Sequence, residues 1–510
     1  MGMTIQSLSY LVLIFSLCMV ARFLRQSQGR QLLLLLASYL FYASWGIGFL
    51  SVLITSSLMN YIWGSMLRRR TTAGCLWIGV ALNLLLLGFF KYLPPLLDGP
   101  AGSEQSDLFR QIIMPVGISF WTFQGLSYLL DIYREEPLDP SPLEFCLYMA
   151  FWPTVLSGPT CRLPKMLPQF REPSIFTRDD IWIGTRRLIQ GILMKMVLAQ
   201  ILGSGLQSGE GVAAGFDQIK GGWGGIDVWL LAVGFGFQLF FDFAGYSHMV
   251  IGTARLLGIR LEENFDHPYF SMTPSIFWTR WHMSLSFWIR DYVFLPFAAM
   301  RRDRWWPYLA LLLSMIIFGL WHGGKATFIL WGVYHGLLLV THRLGQQMKR
   351  RLPFTCPPYL GTPLSWGATF FLVSLGWIFF RAHDLDQGLA MFQSVLSPDR
   401  YHQRVLPPNF YIVTSLVIIG YFIYAGTAPL LARWRTRYKE ELRIRTPATV
   451  DMRTTEWSAR PSVVAVQLLG IFAEKMWWWL TPMVTLLLLL CGLSIFGQGS
   501  ALAPFIYTRF

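Results

Sequence analysis

Apolar runs close to the length of a membrane-spanning helix recur along almost the whole chain. A helix needs about 20 mostly apolar residues to cross the hydrocarbon core of a bilayer. Only 14% of the residues are charged, whereas soluble domains have about a quarter. This pattern predicts an all-α polytopic integral membrane protein with about ten to twelve transmembrane helices. The clearest runs cover residues 8–23, 31–46, 48–66, 74–92, 182–204, 226–258, 363–381, 409–432 and 463–497.

The basic residues lie in short clusters between these runs. Lys and Arg total 42 against 28 Asp and Glu, which gives a net charge of +14. One cluster, Arg22, Arg25 and Arg30, follows the first run, and a second at 68–70 follows the third. The positive-inside rule places both clusters in the cytoplasm and the N-terminus outside. The positive charge therefore indicates topology and contact with anionic lipids, and no nucleic-acid partner is expected.

Some apolar segments contain polar residues or prolines that a lipid-facing helix does not tolerate. Residues 115–124 contain a proline, a glycine and several polar side chains, and residues 145–160 are short and broken by Pro153. Irregular or polar backbone is tolerated at membrane depth only where it faces protein or a wet cavity. These segments are therefore predicted to be re-entrant or buried, and Asp242 is predicted to be a polar group at mid-depth.

Two histidines, His282 and His322, stand in Trp-rich apolar sequence. An ionisable side chain inside a membrane protein carries a free-energy cost and so indicates a function. Basic clusters at 301–304 and 343–351 flank two apolar runs. If both clusters are cytoplasmic, the runs form a hairpin that turns at His322-Gly323-Gly324. The first run would rise about 25 Å, which places His322 deep in the membrane or toward its outer side.

The segment around His282 is predicted to be an amphipathic or re-entrant helix. A helix would align His282, Ser286 and Arg290 at a spacing of four residues. Arg280 and Asp291 are neighbours that could pair with charges or orient a ring. The remaining residues of this segment are apolar, with Trp278, Trp281 and Trp288 prominent among them.

Buried imidazoles suit the activation of a hydroxyl group. Histidine is the usual general base for this purpose, and transfer of an acyl group from a thioester to a hydroxyl also needs donors for the developing oxyanion. His322 is the candidate base, and His282 would orient the acceptor or stabilise charge. The sequence contains no G-x-S-x-G, Walker or H-E-x-x-H motif, and no metal is expected. The alternative is a structural role, in which these histidines form hydrogen bonds between helices. This structural role is favoured for His335 and His248.

The chain resembles the membrane-bound O-acyltransferase family, and within it the bacterial branch that acts in alginate O-acetylation. The resemblance rests on short stretches that occur in one order over nearly the whole chain. They include Gly319-Leu320-Trp321-His322-Gly323. The matching stretches are residues 115–120, 122–124, 151–153, 157–159, 241–247, 263–265, 277–278, 280–282, 285–286, 288–292, 319–323, 331–332, 335–336, 377–382 and 504–507.

The resemblance implies one membrane domain over residues 1–510, with a catalytic core at about 112–382 around a central funnel. The family's invariant histidine corresponds to His322 and its second functional histidine to His282. The predicted substrate-binding residues are Trp278, Arg280, Trp281, Ser286, Arg290, Asp291, Trp321, Gly323, His335 and Asp242.

The resemblance also implies a reaction and its surroundings. Acetyl from cytoplasmic acetyl-CoA would cross the bacterial inner membrane to a periplasmic acetyltransferase or acyl-acceptor protein, and other exopolysaccharide pathway proteins would be partners. Two departures from the branch, His248 in place of Asp and 298–301 in place of Gly-Gly-Asn, leave the polymer open between alginate, cellulose and another exopolysaccharide.

Two hypotheses from other functional classes remain. Polar, broken helices at mid-membrane are also typical of transporters or lipid-linked-sugar flippases, although no inverted repeat of hydropathy is evident. A non-catalytic scaffold for a periplasmic acetyltransferase is the other alternative. The scaffold hypothesis predicts that His322→Ala and His282→Ala have no effect when the protein is made normally.

Overall fold

A computed structural model describes most of the chain. The described residues are 3–94, 113–172, 177–206, 209–217, 222–349 and 357–445, except residues 6, 22, 23 and 25, and side chains are described as far as residue 427. Within these ranges every regular element is helical and no strand occurs. The all-α prediction is therefore confirmed.

The helices of the first half include several that are short or interrupted. They are α1 (Leu8–Ala21), α2 (Ser27–Ala43), α3 (Ile47–Arg69), α4 (Ala73–Leu87, continued by a π-helical turn Gly88–Tyr92), α5 (Ile118–Tyr133), α6 (Pro142–Ala150), α7 (Trp152–Val155), α8 (Leu163–Arg171), α9 (Arg178–Ile192, continued by a π-helical turn Leu193–Leu198), α10 (Ala199–Ser204) and α11 (Val212–Asp217).

The second half contains the longest helices. They are α12 (Gly225–Leu256), α13 (Pro274–Trp278), α14 (Met283–Ile289, continued by a π-helical turn Arg290–Phe294), α15 (Leu295–Ala299), α16 (Trp306–His322), α17 (Ala326–Lys349), α18 (Pro358–Arg381), α19 (Leu385–Leu396) and α20 (Pro408–Arg445). Short 3₁₀ turns, Pro268–Phe270 and Pro398–His402, connect some of them.

Five of the described helices are long and apolar enough to cross a bilayer, and the polytopic membrane prediction is confirmed. The five segments are Ile47–Arg69, Ala73–Tyr92, Gly225–Leu256, Pro358–Arg381 and Pro408–Thr427. Two shorter apolar helices, Ser9–Cys18 and Trp306–His322, accompany them. The predicted span at 463–497 lies outside the described residues.

Helices α16 and α17 form the predicted hairpin, with the turn directly after His322. Their close approach depends on small residues. A Cβ atom at Gly319 would meet the carbonyl oxygen of Phe328, and a Cβ at Gly332 would meet that of Met315. Helices in membranes associate through such contacts because glycine lets two backbones approach. The hairpin therefore fixes where the α16 helix ends and where His322 lies.

The Pro-broken stretch at residues 145–160 does not cross a membrane as one helix. It contains most of α6 and all of α7, which have nine and four residues, and every residue from 147 to 161 is buried. Pro153 stands at the start of α7, where a missing backbone N–H removes no helical bond. This segment is therefore buried protein interior, as its sequence predicts.

The chain divides into two compact units, and the boundary between them lies between Pro407 and Pro408. All the candidate site residues belong to the first unit. In the second unit, the described part is α20 alone. One domain over residues 1–510 stays a prediction.

Candidate active site

His322 is the last residue of α16, and its ring lies among aromatic side chains. Only 2% of the residue is exposed. Its ring centroid is 4.6 Å from that of Trp321, 4.8 Å from Phe380 and 5.3 Å from Trp331. The rings restrict the orientation of the imidazole.

A small cavity of about 60 Å³ borders His322. The polar side chains in its wall are few, and they include one lysine, one histidine and two serines. The lining residues are Lys91, Met114, Val116, Gly117, Ile118, Ser119, Phe120, Leu156, Ser157, Trp321 and His322.

One wall of this cavity is a turn at residues 115–117 that precedes α5. Gly117 has φ of +82°, and a Cβ atom there would also meet the carbonyl oxygen of Val155. Only glycine satisfies both constraints. The Tyr42 hydroxyl donates to the Val116 carbonyl at 2.7 Å, so the turn is fixed from a second helix. The cavity wall is therefore preformed.

The end of α16 is capped by two side chains from the π-helical turn after α4. The Lys91 ammonium donates to the Trp321 carbonyl and, at 3.3 Å, to the Ser119 hydroxyl. The Tyr92 hydroxyl donates to the Leu320 carbonyl at 2.9 Å. The last carbonyls of a helix lack intrahelical partners, and a cation there also complements the helix dipole. These contacts join α4 to the residue before His322.

His282 lies between α13 and α14, in a left-handed backbone conformation with φ of +43°. It is fully buried. The expectation that a helix aligns it with Ser286 and Arg290 is wrong at His282, because the residue precedes α14. Its carbonyl instead accepts the Ser286 backbone N–H at 2.9 Å. The side chain is therefore placed by its own contacts and not by a helix face.

Asn264 determines the tautomer of His282. Its side-chain oxygen accepts from the Ser284 backbone N–H at 3.2 Å and from the Ser284 hydroxyl at 2.9 Å, so this atom is an acceptor. His282 Nδ1 is 3.1 Å from the same oxygen and must therefore donate to it. In the neutral ring the lone pair is then on Nε2, the nitrogen that can accept a proton.

Trp321 connects the two histidines. Its ring centroid lies 4.6 Å from that of His322 and 6.3 Å from that of His282. Trp281, another predicted site residue, packs on Trp377 at 4.9 Å. The structure thus brings the two predicted catalytic histidines to the same tryptophan, although they are forty residues apart in sequence.

His335 and Trp278 lie in the same aromatic cluster but away from the cavity lining. The His335 ring is 5.0 Å from Trp331 and 5.2 Å from Trp278, and a Cβ at Gly376 would meet its Nε2. Among the described residues, neither ring nitrogen of His335 has a hydrogen-bond partner. This surrounding is typical of packing, and substrate binding by these two residues stays a prediction.

The charged residues of the predicted site have partners elsewhere. Asp242 forms a buried ion pair with Lys195, which joins α12 to the π-helical turn after α9. Asp291 is 2.8 Å from Arg162 and 2.7 Å from Arg290. These contacts hold helices and loops together. A substrate-binding role for Asp242, Arg290 and Asp291 remains a prediction.

The other predicted residues are placed as follows. Arg280 lies 3.9 Å from the Asp266 carboxylate, and the Ser286 hydroxyl donates to the Trp281 carbonyl at 2.9 Å. Gly323 directly follows α16. The described residues contain no group of three or more His, Cys, Asp or Glu side chains placed to hold a metal ion.

Two residues with evident roles in this geometry were not predicted as site residues. Lys91 lines the cavity, and Asn264 holds His282. A signal for Lys91 existed, because it is a lysine inside the predicted span 74–92 and such residues indicate function. Asn264 stands in a stretch that carries the family resemblance, but nothing local indicated its partner.

Comparison with known proteins gives the class of the chain. The model of the membrane-bound O-acyltransferase family matches residues 102–382. The model of a family of unknown function matches residues 464–510, which lie outside the described part. The chain belongs to the membrane-bound O-acyltransferase family, as the sequence motifs predict.

Three relatives of known name are similar to the chain over most of its length. The chain is 35% identical to the probable alginate O-acetylase of Pseudomonas aeruginosa over 386 residues, which cover 74% of this chain and 71% of the relative. It is 31% identical to the peptidoglycan O-acetyltransferase of Helicobacter pylori over 398 residues, 72% of this chain and 73% of the relative. The teichoic acid D-alanyltransferase of Bacillus subtilis is 27% identical over 341 residues, 64% of this chain and 82% of the relative.

These relatives and the family identify the protein as a membrane-embedded O-acyltransferase that uses an acyl donor. The prediction of an enzyme is confirmed, and the transporter and scaffold alternatives are not supported.

Proposed function

We propose that the protein takes acetyl from cytoplasmic acetyl-CoA and delivers it across the bacterial inner membrane for O-acetylation of an exopolysaccharide. The observation that carries this proposal is the position of His322 at a preformed cavity, next to Trp321, whose ring centroid also lies 6.3 Å from that of His282. The immediate acceptor would be a hydroxyl of a periplasmic acetyltransferase or other acyl-acceptor protein.

The chemistry of the transfer follows from these residues. His322 removes the proton from the acceptor hydroxyl, and the oxygen attacks the carbonyl carbon of the thioester. The tetrahedral intermediate then expels the thiolate, the carbon–sulfur bond breaks, and the proton on His322 passes to the leaving sulfur. The products are an acetyl ester and free coenzyme A. His282, held by Asn264, is not in the cavity lining, so its role in orienting the acceptor would act through Trp321, which contacts both histidines.

The relatives support acetyl as the acyl group and a polymer as its destination. Two of the three relatives, the probable alginate O-acetylase and the peptidoglycan O-acetyltransferase, are named for O-acetyl transfer. The names of all three include a bacterial polymer: alginate, peptidoglycan or teichoic acid. The basic clusters at 68–70 and 301–304 support a cytoplasmic face at which an anionic acyl-CoA could bind. Entry of the donor from that face and access of the acceptor from the opposite face, through a funnel, are part of the proposal.

The first experiment compares polysaccharide O-acetylation in cells that express the wild type or His322→Ala. Membrane levels are matched by immunoblot, and ester acetate on the isolated polymer is measured. Loss of acetyl ester at normal protein level is the expected result. Unchanged ester at normal level would remove His322 from the mechanism and contradict the proposal.

A second experiment tests the donor directly. Purified wild-type protein in detergent or nanodiscs receives acetyl-CoA labelled in the acetyl group, and release of free thiol is followed with the periplasmic acceptor fraction present. We expect turnover with acetyl-CoA and much slower turnover with long-chain acyl-CoA. Equal or preferential use of a long-chain donor would contradict an acetyl-specific enzyme while leaving the O-acyltransferase class intact.

A further inference from the structure

Lys91 is a cation at the end of a membrane-spanning helix. It lies on the π-helical turn that ends the span Ala73–Tyr92. Among the described residues no carboxylate lies within ion-pairing distance of it, whereas the buried Lys195 is paired with Asp242. A charged side chain that bonds inside a membrane protein without a counter-ion is costly, and such a residue is normally functional. π-helical turns within α-helices are also frequent at functional sites.

The contacts of Lys91 hold its ammonium at the cavity. It donates to the Trp321 carbonyl and to the Ser119 hydroxyl, both neutral acceptors, and lies 5.3 Å from the centroid of the Trp321 ring. The ammonium has three N–H groups, so these two bonds leave it one further donor. Lys91 and His322 line the same cavity. The positive charge is thus fixed next to the candidate base.

Acyl transfer creates negative charge at a position such a cation can stabilise. When a hydroxyl attacks a thioester, the carbonyl oxygen becomes an oxyanion in the tetrahedral intermediate. A donor fixed in advance in a water-poor site stabilises this charge with little reorganisation. Among the described residues that line this cavity, Lys91 is the one with a positively charged side chain.

We propose that Lys91 is a catalytic residue, whose ammonium donates a hydrogen bond to the acyl carbonyl oxygen as it becomes an oxyanion beside His322. This inference rests on the proposed function of the cavity as the place of acyl transfer. No proton leaves Lys91 in the step, because the ammonium only stabilises charge while His322 carries the proton from the hydroxyl to the leaving sulfur.

The test must separate this role from the capping of α16, and the chain offers a matched control. Lys91→Gln keeps a hydrogen-bond donor for the Trp321 carbonyl but removes the charge, and Lys91→Met removes both. Tyr92→Phe removes the neighbouring cap on the Leu320 carbonyl without touching the cavity lining. Each purified variant is assayed for acetyl-CoA turnover, with kcat and KM determined separately, and for thermal unfolding.

We expect Lys91→Gln and Lys91→Met to lower kcat by about 10²-fold or more, with a much smaller change in KM for the donor. Tyr92→Phe should keep most of the wild-type kcat. Wild-type kcat in Lys91→Gln, or an equal loss in Tyr92→Phe, would overturn the proposal.

If Lys91→Met does not fold, the Gln variant still decides, because its capping bond is retained. Failure of the proposed function is distinguishable, because the wild type itself would then show no turnover with acetyl-CoA.

Discussion

His322 and His335 contact the same tryptophan, yet His322 borders the cavity and His335 does not. Their ring centroids lie 5.3 Å and 5.0 Å from that of Trp331, and both residues are buried. His322 ends α16 at a turn and borders the cavity beside Lys91. His335 lies inside α17 and is enclosed by Trp278 and α18. Burial among aromatic rings is common to both, so access to a cavity distinguishes the candidate catalyst.

The largest expected effect is at His322. Replacing it with alanine removes the candidate base, and general-base catalysis contributes typically 10²–10⁴-fold, so we expect the transfer rate to fall by about that factor. The measurement is kcat of purified protein with acetyl-CoA. Thermal unfolding is the control, since a variant that is fully folded but inactive has lost catalytic activity and not its fold. Activity within a few-fold of the wild type would contradict a catalytic role.

A smaller loss is expected at Asn264, which holds His282. Asn264→Ala leaves the Nδ1–H donor of His282 without this acceptor, at a cost of about 1–3 kcal/mol, and frees the ring to adopt the other tautomer. We expect roughly a ten- to hundredfold loss of kcat. Ser247→Ala is the matched control, because it removes only the 3.3 Å hydrogen bond that the side-chain nitrogen of Asn264 donates to the Ser247 hydroxyl. Equal losses in the two variants would indicate a structural role.

The His335 region is expected to respond in stability more than in rate. A Cβ atom at Gly376 would meet His335 Nε2. Gly376→Ala should therefore force a repacking that costs about 1–3 kcal/mol. The expected result is a lower unfolding temperature with a nearly normal rate per folded molecule. A large fall in rate without loss of stability would show that the position of His335 matters for chemistry.

The smallest expected effect lies in an ion pair outside the site and the spans. Glu144 closes a capping box at the start of α6 and binds Arg171 at 2.8 and 3.0 Å. The bond from Arg171 holds the pKa of Glu144 below its ordinary value of 4.5. A carboxylate with a lowered pKa stabilises the fold above pH 4.5 and loses that contribution as the pH falls further.

Glu144→Gln should therefore lower the unfolding temperature slightly at pH 7, and the difference from the wild type should shrink below pH 4.5. Thermal unfolding of both proteins over this pH range is the measurement. A difference that stays constant with pH would mean that the charge of Glu144 is not what stabilises α6.

The sequence predicted those features that depend on neighbouring residues. The α16–α17 hairpin followed from two apolar runs between basic clusters, with the turn at His322-Gly323-Gly324. The break at residues 145–160 followed from Pro153 and from length. In each case the pattern of a short segment and the thickness of a bilayer were enough.

Contacts between distant parts of the chain could not be predicted in the same way. Lys91 and Trp321 are 230 positions apart, and the bond between them depends on where the π-helical turn after α4 meets the end of α16. Asp242 was expected to be polar at mid-depth, but its partner Lys195 is on another helix, 47 positions away. His282 looked like part of a helix because its left-handed backbone has no signature in the sequence. Such pairings are properties of the packed fold.

The most direct test of the central claim compares the same substitution at the two histidines that share Trp331. His322→Gln and His335→Gln are purified, shown to be folded by thermal unfolding, and assayed for acetyl transfer under identical conditions. We predict that His322→Gln loses about 10²-fold or more of the wild-type rate, while His335→Gln keeps most of it. Equal losses in the two variants, or a greater loss at His335, would contradict the claim that access to the cavity marks the catalytic histidine.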